Sequence, residues 1–112
     1  KWWNFFKSWD VLLAPVAITA AFPHQTEGNL YTRTLDVDGG ERPYADLIVW
    51  TSQFGYVYLP STVVPVGNTK EGLPIGIQVV GPYLGDRTTI EFAKYIEQLL
   101  GGYKVPPLAK IK

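Results

Sequence analysis

The chain has 112 residues, of which 46% are hydrophobic, and this suits one small globular domain or a piece of a larger one. Its ten basic and ten acidic residues balance and are scattered, which argues against nucleic-acid binding and against electrostatic attachment to a membrane. Cysteine is absent, so disulfides, thiolate chemistry and cysteine-based metal sites are excluded. No segment reaches the roughly 20 apolar residues of a membrane span, and a cytoplasmic location is the default expectation.

The first residues carry an aromatic stripe, in which Trp2, Phe5, Phe6 and Trp9 follow the i, i+3, i+4, i+7 spacing of a core-facing helix. No N-cap and no first turn precede Trp2. We therefore expect the chain to begin inside a helix, with the stripe packed on residues of a longer polypeptide. The alternative is an aromatic cluster that folds onto the chain's own core.

A buried strand is predicted over Asp10–Pro15, because a continuous apolar run there is closed by proline. The stretch from Pro23 to Gly40 is polar and predicts a long surface loop, which as a whole covers about residues 23–42.

A helix is predicted to start near Pro43, since proline favours the first helical position. Leu47, Trp50 and Phe54 would then share one face, and Gly55 would end the helix. The run from Leu47 to Trp50 is continuously apolar, however, so periodicity alone leaves a strand open there.

The second half of the chain predicts a hairpin and a helix. Two β-rich apolar runs, Ser61–Val66 and Ile75–Val80, flank a polar turn, and neither alternates with polar residues, so we expect an antiparallel pair in the middle of a sheet covered by helices. A helix is predicted to follow the hairpin, with a capping box of Thr88 and Glu91 and with Asp86 as the alternative cap. Its core face consists of Phe92, Ile96 and Leu99. The helix is expected to end at Gly101 and Gly102, and an extended tail is expected from Pro106.

The chain offers little that could perform chemistry by itself. His24 is the only histidine and has no partner defined by the sequence, so a structural or solvated role is expected. The serines Ser8, Ser52 and Ser61 lie in elements assigned to packing, and none sits in a glycine-rich nucleophile turn. No spacing typical of metal ligands occurs, and no cofactor motif is found. We therefore predict no catalytic residue, no metal and no cofactor in this chain.

Several motifs resemble, in order, the C-terminal part of amidase-signature enzymes. They are Asp10-Val11-Leu12-Leu13-Ala14-Pro15, Leu59-Pro60-Ser61-Thr62-Val63-Val64-Pro65-Val66-Gly67, Gly72-Leu73-Pro74-Ile75-Gly76-Ile77-Gln78-Val79-Val80-Gly81, and Asp86-Arg87-Thr88-Thr89-Ile90-Glu91-Phe92-Ala93. Each motif is weak alone, and together they are specific. The resemblance implies an α/β fold with a mixed β-sheet flanked by helices, of which residues 1–112 form the C-terminal segment as one unit, incomplete by itself.

The resemblance also implies a division of roles. The family's triad, a serine nucleophile, a second serine on a cis peptide bond and a lysine, lies in an upstream Gly/Ser-rich stretch that nothing here matches. By analogy with the fatty-acid-amide type, Trp50, Phe54 and Tyr83 are candidates to line the substrate pocket, against the alternative that each is a core residue. Gly55 and Tyr58 depart from the asparagine and glycine that many members have near these places.

The predicted partners are the missing N-terminal part of the amidase, a small amide substrate in the intact enzyme and, in a homo-oligomer, a second copy of the chain. By itself the chain is predicted to be inactive. One alternative is a non-catalytic module, or the scaffold part of an amidotransferase assembly that acts on charged tRNA. Another is a small α/β binding domain unrelated to amidases.

Overall fold

Helices cover both faces of a small antiparallel sheet, in agreement with the predicted α/β class. The computed structural model describes residues 1–106. In chain order the elements are α1 (Trp2–Phe5), β1 (Leu12–Pro15), β2 (Thr34–Val37), β3 (Gly40–Pro43), a 3-10 helix (Tyr44–Ile48), α2 (Val49–Gly55), β4 (Ser61–Asn68), β5 (Pro74–Val80) and α3 (Asp86–Leu100). None of the helices in this part of the chain has the length and apolar character needed to cross a bilayer.

The main sheet has the order β1-β5-β4, with β5 in the centre. The predicted antiparallel hairpin is confirmed, since Ser61 of β4 pairs with Val80 of β5, and Leu12 of β1 pairs with the other side of Val80. The prediction that both hairpin strands are central is correct for β5 only. Among residues 1–106, β4 is an edge strand with one neighbour, and its Val63 is 55% exposed.

Two hydrophobic clusters hold the layers together, one on each face of the sheet. Successive residues of a strand point to opposite faces, so Val80 enters one cluster and Val79 the other. The first cluster consists of Ala14, Phe54 and Val80 with Trp2, Phe6, Leu12, Trp50 and Leu59 around them. The second consists of Val64, Val79 and Ala93 with Val11, Ile77, Phe92 and Ile96 around them. Helices α1 and α2 therefore cover one face, and α3 covers the other.

The aromatic stripe at the start of the chain packs partly on the chain's own core. The Trp2 ring lies 5.8 Å from the Phe54 ring, and Phe6 joins the same cluster. This is the alternative considered for the stripe, and it holds for these two residues. Trp9, the last member, is 62% exposed.

The predicted long loop over about residues 23–42 is wrong in its second half, where β2 and β3 form a hairpin. Asp38 and Gly39 both have positive φ, at 55° and 78°, and they connect Val37 to Gly40 as a two-residue turn. Asp-Gly is a strong signal for this turn, since both residues tolerate the left-handed conformation. The segment from Pro23 to Arg33 has no regular strand or helix, as predicted.

The region after Pro43 is helical, as predicted, so the strand alternative for Leu47–Trp50 is wrong. The first turn is a 3-10 helix, and α2 follows from Val49. Phe54 is buried, and Trp50 packs beside it.

Helix α3 differs from its prediction at both ends. Gly85 is its N-cap and no side chain caps it, so the proposed capping box of Thr88 and Glu91 and the alternative cap Asp86 are both wrong. Leu99 is 82% exposed, because the core contacts of this helix face end at Ile96. At the C-terminus the prediction is confirmed, since Gly101 adopts a left-handed φ of 88°. Beyond Pro106 the predicted extended tail lies outside the described residues.

Candidate functional site

One end of the sheet, where β5 ends and β4 begins, carries exposed apolar side chains. The backbone N–H of Gly81 donates to the carbonyl of Pro60 at 3.0 Å, so the segments that flank the two strands leave the sheet together. Four residues of these segments have large, mostly exposed side chains: Tyr56 (82%), Tyr58 (79%), Tyr83 (65%) and Leu84 (77%). We call these four residues the apolar rim.

Tyr58 is placed by the way helix α2 ends. The N–H of Tyr58 donates to the Gly55 carbonyl and the N–H of Leu59 donates to the Phe54 carbonyl, both at 3.1 Å. This pair of bonds is a Schellman motif, and its usual contact is present because Leu59 packs in the same cluster as Phe54. The motif requires a left-handed residue before Leu59, and Tyr58 fills that position with φ 58°.

The position of Tyr58 in this motif is normally occupied by glycine. For an L-residue with a side chain, the left-handed conformation costs roughly 1–2 kcal/mol. The predicted helix end at Gly55 is therefore only partly correct: α2 ends there, but Gly55 is not the left-handed cap and its φ is not positive. The cap lies three residues later, on a tyrosine.

Leu84 is placed by a tight turn between β5 and α3. The N–H of Gly85 donates to the Pro82 carbonyl at 2.8 Å, which closes a four-residue turn, and Leu84 at its third position has φ 60°. Positive φ at this position normally selects glycine or asparagine. A Cβ on Gly85 would lie 2.7 Å from the Pro82 ring, and one on Gly81 would lie 2.6 Å from Thr89 Cγ2. The tight packing of these glycines fixes the turn and directs Leu84 outward.

The three predicted pocket residues lie in different environments. Phe54 is 3% exposed and belongs to the core cluster of the sheet, and Trp50 is half-buried beside it. Tyr83 belongs to the apolar rim. Trp50 and Phe54 thus lie together against one face of the sheet, and Tyr83 lies at the end of the sheet. Their assignment to a substrate pocket stays a prediction. Sequence reasoning had noted Tyr58 as a departure from the family but missed Leu84, for which the spacing of Gly81 and Gly85 was the available signal.

A groove of about 740 Å³ lies near the opposite end of the sheet, where β1 ends and β5 begins. It is lined mainly by apolar residues of the segments 15–21 and 73–77, with Asp38 and Glu71 among the other lining residues. The start of the first segment is fastened by Gln78, which is 1% exposed and donates from Nε2 to the Pro15 carbonyl at 2.7 Å. None of the three predicted pocket residues lines this groove.

The loop between β4 and β5 is organised around the Thr69 side chain. Thr69 Oγ1 accepts hydrogen bonds from the backbone N–H groups of Glu71 and Leu73, both at 3.2 Å. Two hydrogen bonds lower the pKa of the Glu71 carboxyl. The larger effect comes from the Thr69 hydroxyl and the smaller one from a backbone group.

The residues that could act as nucleophiles or bases are not assembled into a catalytic group. Ser52 donates from Oγ to the Ile48 carbonyl at 2.6 Å, while Ser8, Ser61 and His24 are exposed. Within residues 1–106 no serine hydroxyl is hydrogen-bonded to a lysine, and no three His, Cys, Asp or Glu side chains are grouped to hold a metal ion. The described residues instead form two surfaces that could contact a substrate, an apolar rim at one end of the sheet and a mostly apolar groove near the other.

Comparison with known proteins agrees with the motifs in the strands. The family model described as Amidase matches residues 1–90. Fatty-acid amide hydrolase 2-A of Danio rerio is 40% identical over 63 residues, which are 56% of this chain and 12% of that protein. A subunit of glutamyl-tRNA(Gln) amidotransferase from an Exiguobacterium species is 33% identical over 103 residues, which are 92% of this chain and 19% of that protein. Fatty-acid amide hydrolase 2 of Homo sapiens is 40% identical over 57 residues, or 51% of this chain and 11% of that protein.

The chain thus spans between about a tenth and a fifth of the length of these relatives. The family match covers every element from α1 to β5 and the first residues of α3. It includes all of the first hydrophobic cluster and those residues of the second that precede α3. This chain belongs to the amidase family.

Proposed function

We propose that this chain is the C-terminal part of an amide hydrolase, which converts a carboxylic amide to a carboxylate and ammonia or an amine. The observation that carries the proposal is the family match over residues 1–90, which includes the central strand β5 and both of its neighbours. The chain supplies a section of the sheet and one wall of the substrate pocket, and the catalytic residues come from the rest of the polypeptide.

The chemistry follows from the family resemblance. A lysine accepts a proton from the second serine, which in turn accepts the proton of the nucleophilic serine. The nucleophile attacks the amide carbon while backbone N–H groups hold the oxyanion, and the amine leaves with a proton. Water then hydrolyses the acyl-enzyme, which releases the carboxylate and restores the serine.

The described residues support the role assigned to this chain. The three strands are held from both sides by buried clusters, and the Gln78 side chain ties the end of β1 to β5. Such a rigid section can carry a pocket wall without contributing to bond breaking. The proposed residues of the pocket wall are Trp50, Phe54 and Tyr83. Trp50 and Phe54 pack against one face of the sheet, and Tyr83 belongs to the apolar rim.

A comparison of the 112-residue chain with the natural polypeptide that contains it tests the proposal. Both are incubated with acetamide and octanamide, and ammonia release is measured; both are also treated with a fluorophosphonate that labels activated serines. We expect hydrolysis and labelling for the polypeptide and neither for the chain. A polypeptide that hydrolyses no amide would refute the proposed reaction, whereas activity of the chain alone would refute the division of roles.

A second candidate is a part of an amidotransferase assembly, to which this chain would contribute scaffold, and for which we propose glutamine as the amide that supplies ammonia. It is favoured by the extent of the match, since the amidotransferase relative matches 103 residues of this chain and the Danio rerio hydrolase 63. Glutamine is the discriminating substrate. Release of ammonia from glutamine, with no hydrolysis of octanamide, would favour this candidate over hydrolysis of apolar amides.

A further inference from the structure

The turn between β2 and β3 contains a peptide bond that is prone to chemical rearrangement. Asp38 is the one aspartate of the sequence that is followed by glycine, and no asparagine is followed by glycine. In an Asp-Gly unit the backbone nitrogen of the glycine can attack Cγ of the aspartate, because glycine has no Cβ to obstruct the approach. Asp38 and Gly39 are both exposed, and a Cβ on Gly39 would meet no atom within 4 Å, so neighbouring groups leave room for the reaction.

The rearrangement takes two steps and needs only water. In the first step the Gly39 nitrogen bonds to Cγ of the protonated Asp38 carboxyl, and the carboxyl hydroxyl leaves with the proton of the nitrogen as water, which gives a five-membered succinimide. In the second step water adds to the backbone carbonyl of Asp38 and breaks its bond to the Gly39 nitrogen. The product is isoaspartate, in which the main chain runs through Cβ and Cγ, and no atom is oxidised or reduced relative to aspartate.

The folded turn holds the reacting atoms apart. Ring closure requires the Gly39 nitrogen to lie on the same side of the Cα–C bond of Asp38 as Cβ. With φ of 55° and 78°, Asp38 and Gly39 form a type I′ turn, in which ψ of the first residue is about 30°. At this ψ the nitrogen of an L-residue's successor lies nearly opposite Cβ. Asp38 must therefore leave the turn conformation before the ring can close.

The side chain of Asp36 fastens this turn. The N–H of Gly39 donates to Oδ1 of Asp36 at 2.9 Å, and rotation of the peptide toward ring closure breaks this hydrogen bond. In other respects aspartate suits this position poorly, because it is depleted in strands and here pairs directly with Glu41, another carboxylate. The favourable contribution of Asp36 to the hairpin is thus its hydrogen bond to the turn.

We propose that the Asp36 carboxylate protects Asp38-Gly39 from conversion to isoaspartate, and that this peptide bond becomes a modification site when the hydrogen bond is lost. Isoaspartate lengthens the main chain of the turn by one atom, which disrupts the pairing of Val37 with Gly40. Val37 and Asp38 also line the 740 Å³ groove, so the modification changes that surface as well. The inference goes beyond the proposed amide hydrolysis and does not depend on it.

The test compares the natural polypeptide with its variants Asp36→Ala and Asp36→Asn during incubation at neutral pH. Isoaspartate at position 38 is measured by mass spectrometry after digestion with endoproteinase Asp-N, which cleaves before aspartate and not before isoaspartate. We expect Asp36→Ala to form isoaspartate about fivefold faster than the wild type, which is the effect of losing one hydrogen bond. Asp36→Asn keeps an oxygen acceptor and should stay within about twofold of the wild type. Because Asp36 is exposed, neither substitution should unfold the protein.

Glu41→Ala is the matched control, because it removes the carboxylate opposite Asp36 and leaves the hydrogen bond to Gly39 in place. Its rate of isoaspartate formation should equal that of the wild type. In concentrated urea the wild type and Asp36→Ala should react at one common rate, which is faster than that of the folded wild type. An unchanged rate in Asp36→Ala, an equal acceleration in Glu41→Ala, or a folded wild type that reacts as fast as the unfolded chain would overturn the proposal.

Discussion

The buried side chain of Gln78 offers a direct test of how the sheet is held together. Gln78 is 1% exposed, lies on the central strand β5 and donates to the carbonyl of Pro15 on β1. In the variant Gln78→Ala this hydrogen bond is lost, which costs about 1 kcal/mol. One buried methylene contributes about 0.8 kcal/mol more, and the void left by the amide adds a further loss of similar size. We therefore expect the free energy of unfolding to fall by about 2–3 kcal/mol.

The assay is urea unfolding of the wild-type protein and the variant, monitored by tryptophan fluorescence. With a urea dependence of about 1–3 kcal/mol per molar, the expected loss lowers the urea midpoint by roughly 0.7–3 M. Gln98→Ala is the matched control, because Gln98 is an exposed glutamine of α3 and should change stability by no more than about 0.5 kcal/mol. Gln78→Leu keeps most of the volume and loses only the hydrogen bond, so about 1 kcal/mol should be lost. Equal effects of the substitutions at positions 78 and 98 would refute the reasoning.

Three further predictions concern glycine conformation, a buried hydroxyl and a titrating carboxyl. Gly55→Ala should stabilise the protein by about 0.5–1 kcal/mol in the same urea assay, because φ at Gly55 is not positive and a Cβ there meets no atom within 4 Å. Gly101→Ala should destabilise the protein by about 1 kcal/mol, because Gly101 has a φ of 88°. Thr89→Val should cost about 1–2 kcal/mol, since the buried hydroxyl bonds both a hydroxyl of β4 and a carbonyl of the first turn of α3; an unchanged midpoint would contradict this. Thr69→Ala should raise the pKa of Glu71 toward its ordinary value, measured by NMR titration. The pKa of Glu71 is lower in the folded protein than in the unfolded chain, so its ionised carboxyl stabilises the fold above the unfolded pKa, and this stabilisation is lost as the pH falls through the folded pKa. The Thr69→Ala variant should therefore lose less stability on acidification than the wild type. An unchanged pKa of Glu71 in the variant would contradict the role of the Thr69 hydrogen bond.

The elements that the sequence predicts well are those whose local signals agree with their packing. β5 is a continuous β-rich run, and in the structure its last three residues, Gln78 to Val80, are buried on both faces as such runs usually are. For α3, the periodic apolar positions and the left-handed Gly101 identify the helix and its end. The start of α3 could not be predicted in the same way, because Gly85 is the N-cap and a Cβ there would lie 2.7 Å from the Pro82 ring. The tight turn from Pro82 to Gly85, which no capping pattern reveals, sets where the helix begins.

The apolar rim shows why part of the candidate site escaped prediction. A glycine near the end of a helix predicts the left-handed cap, and Gly55 was the only glycine in reach. In the structure, packing of Leu59 against the Phe54 cluster extends the helical turns, and the cap falls on Tyr58. A tertiary contact thus overrides the local preference. The hairpin of β2 and β3, by contrast, carried a local signal in Asp38-Gly39 that the polar composition of the region concealed.

The pairing of β1 with β5 has a consequence for synthesis of the protein on the ribosome. Pro15 and Gln78 are joined by a hydrogen bond although they are 63 positions apart. At about 5–20 residues per second, several seconds pass after β1 is made before its partner strand exists. In this interval an apolar strand and the Trp2 stripe before it have no partner from the sheet, and unpaired apolar strands promote aggregation. Slow translation between β1 and β5 should therefore lower the yield of folded protein, and a chaperone that binds the nascent β1 segment should restore it.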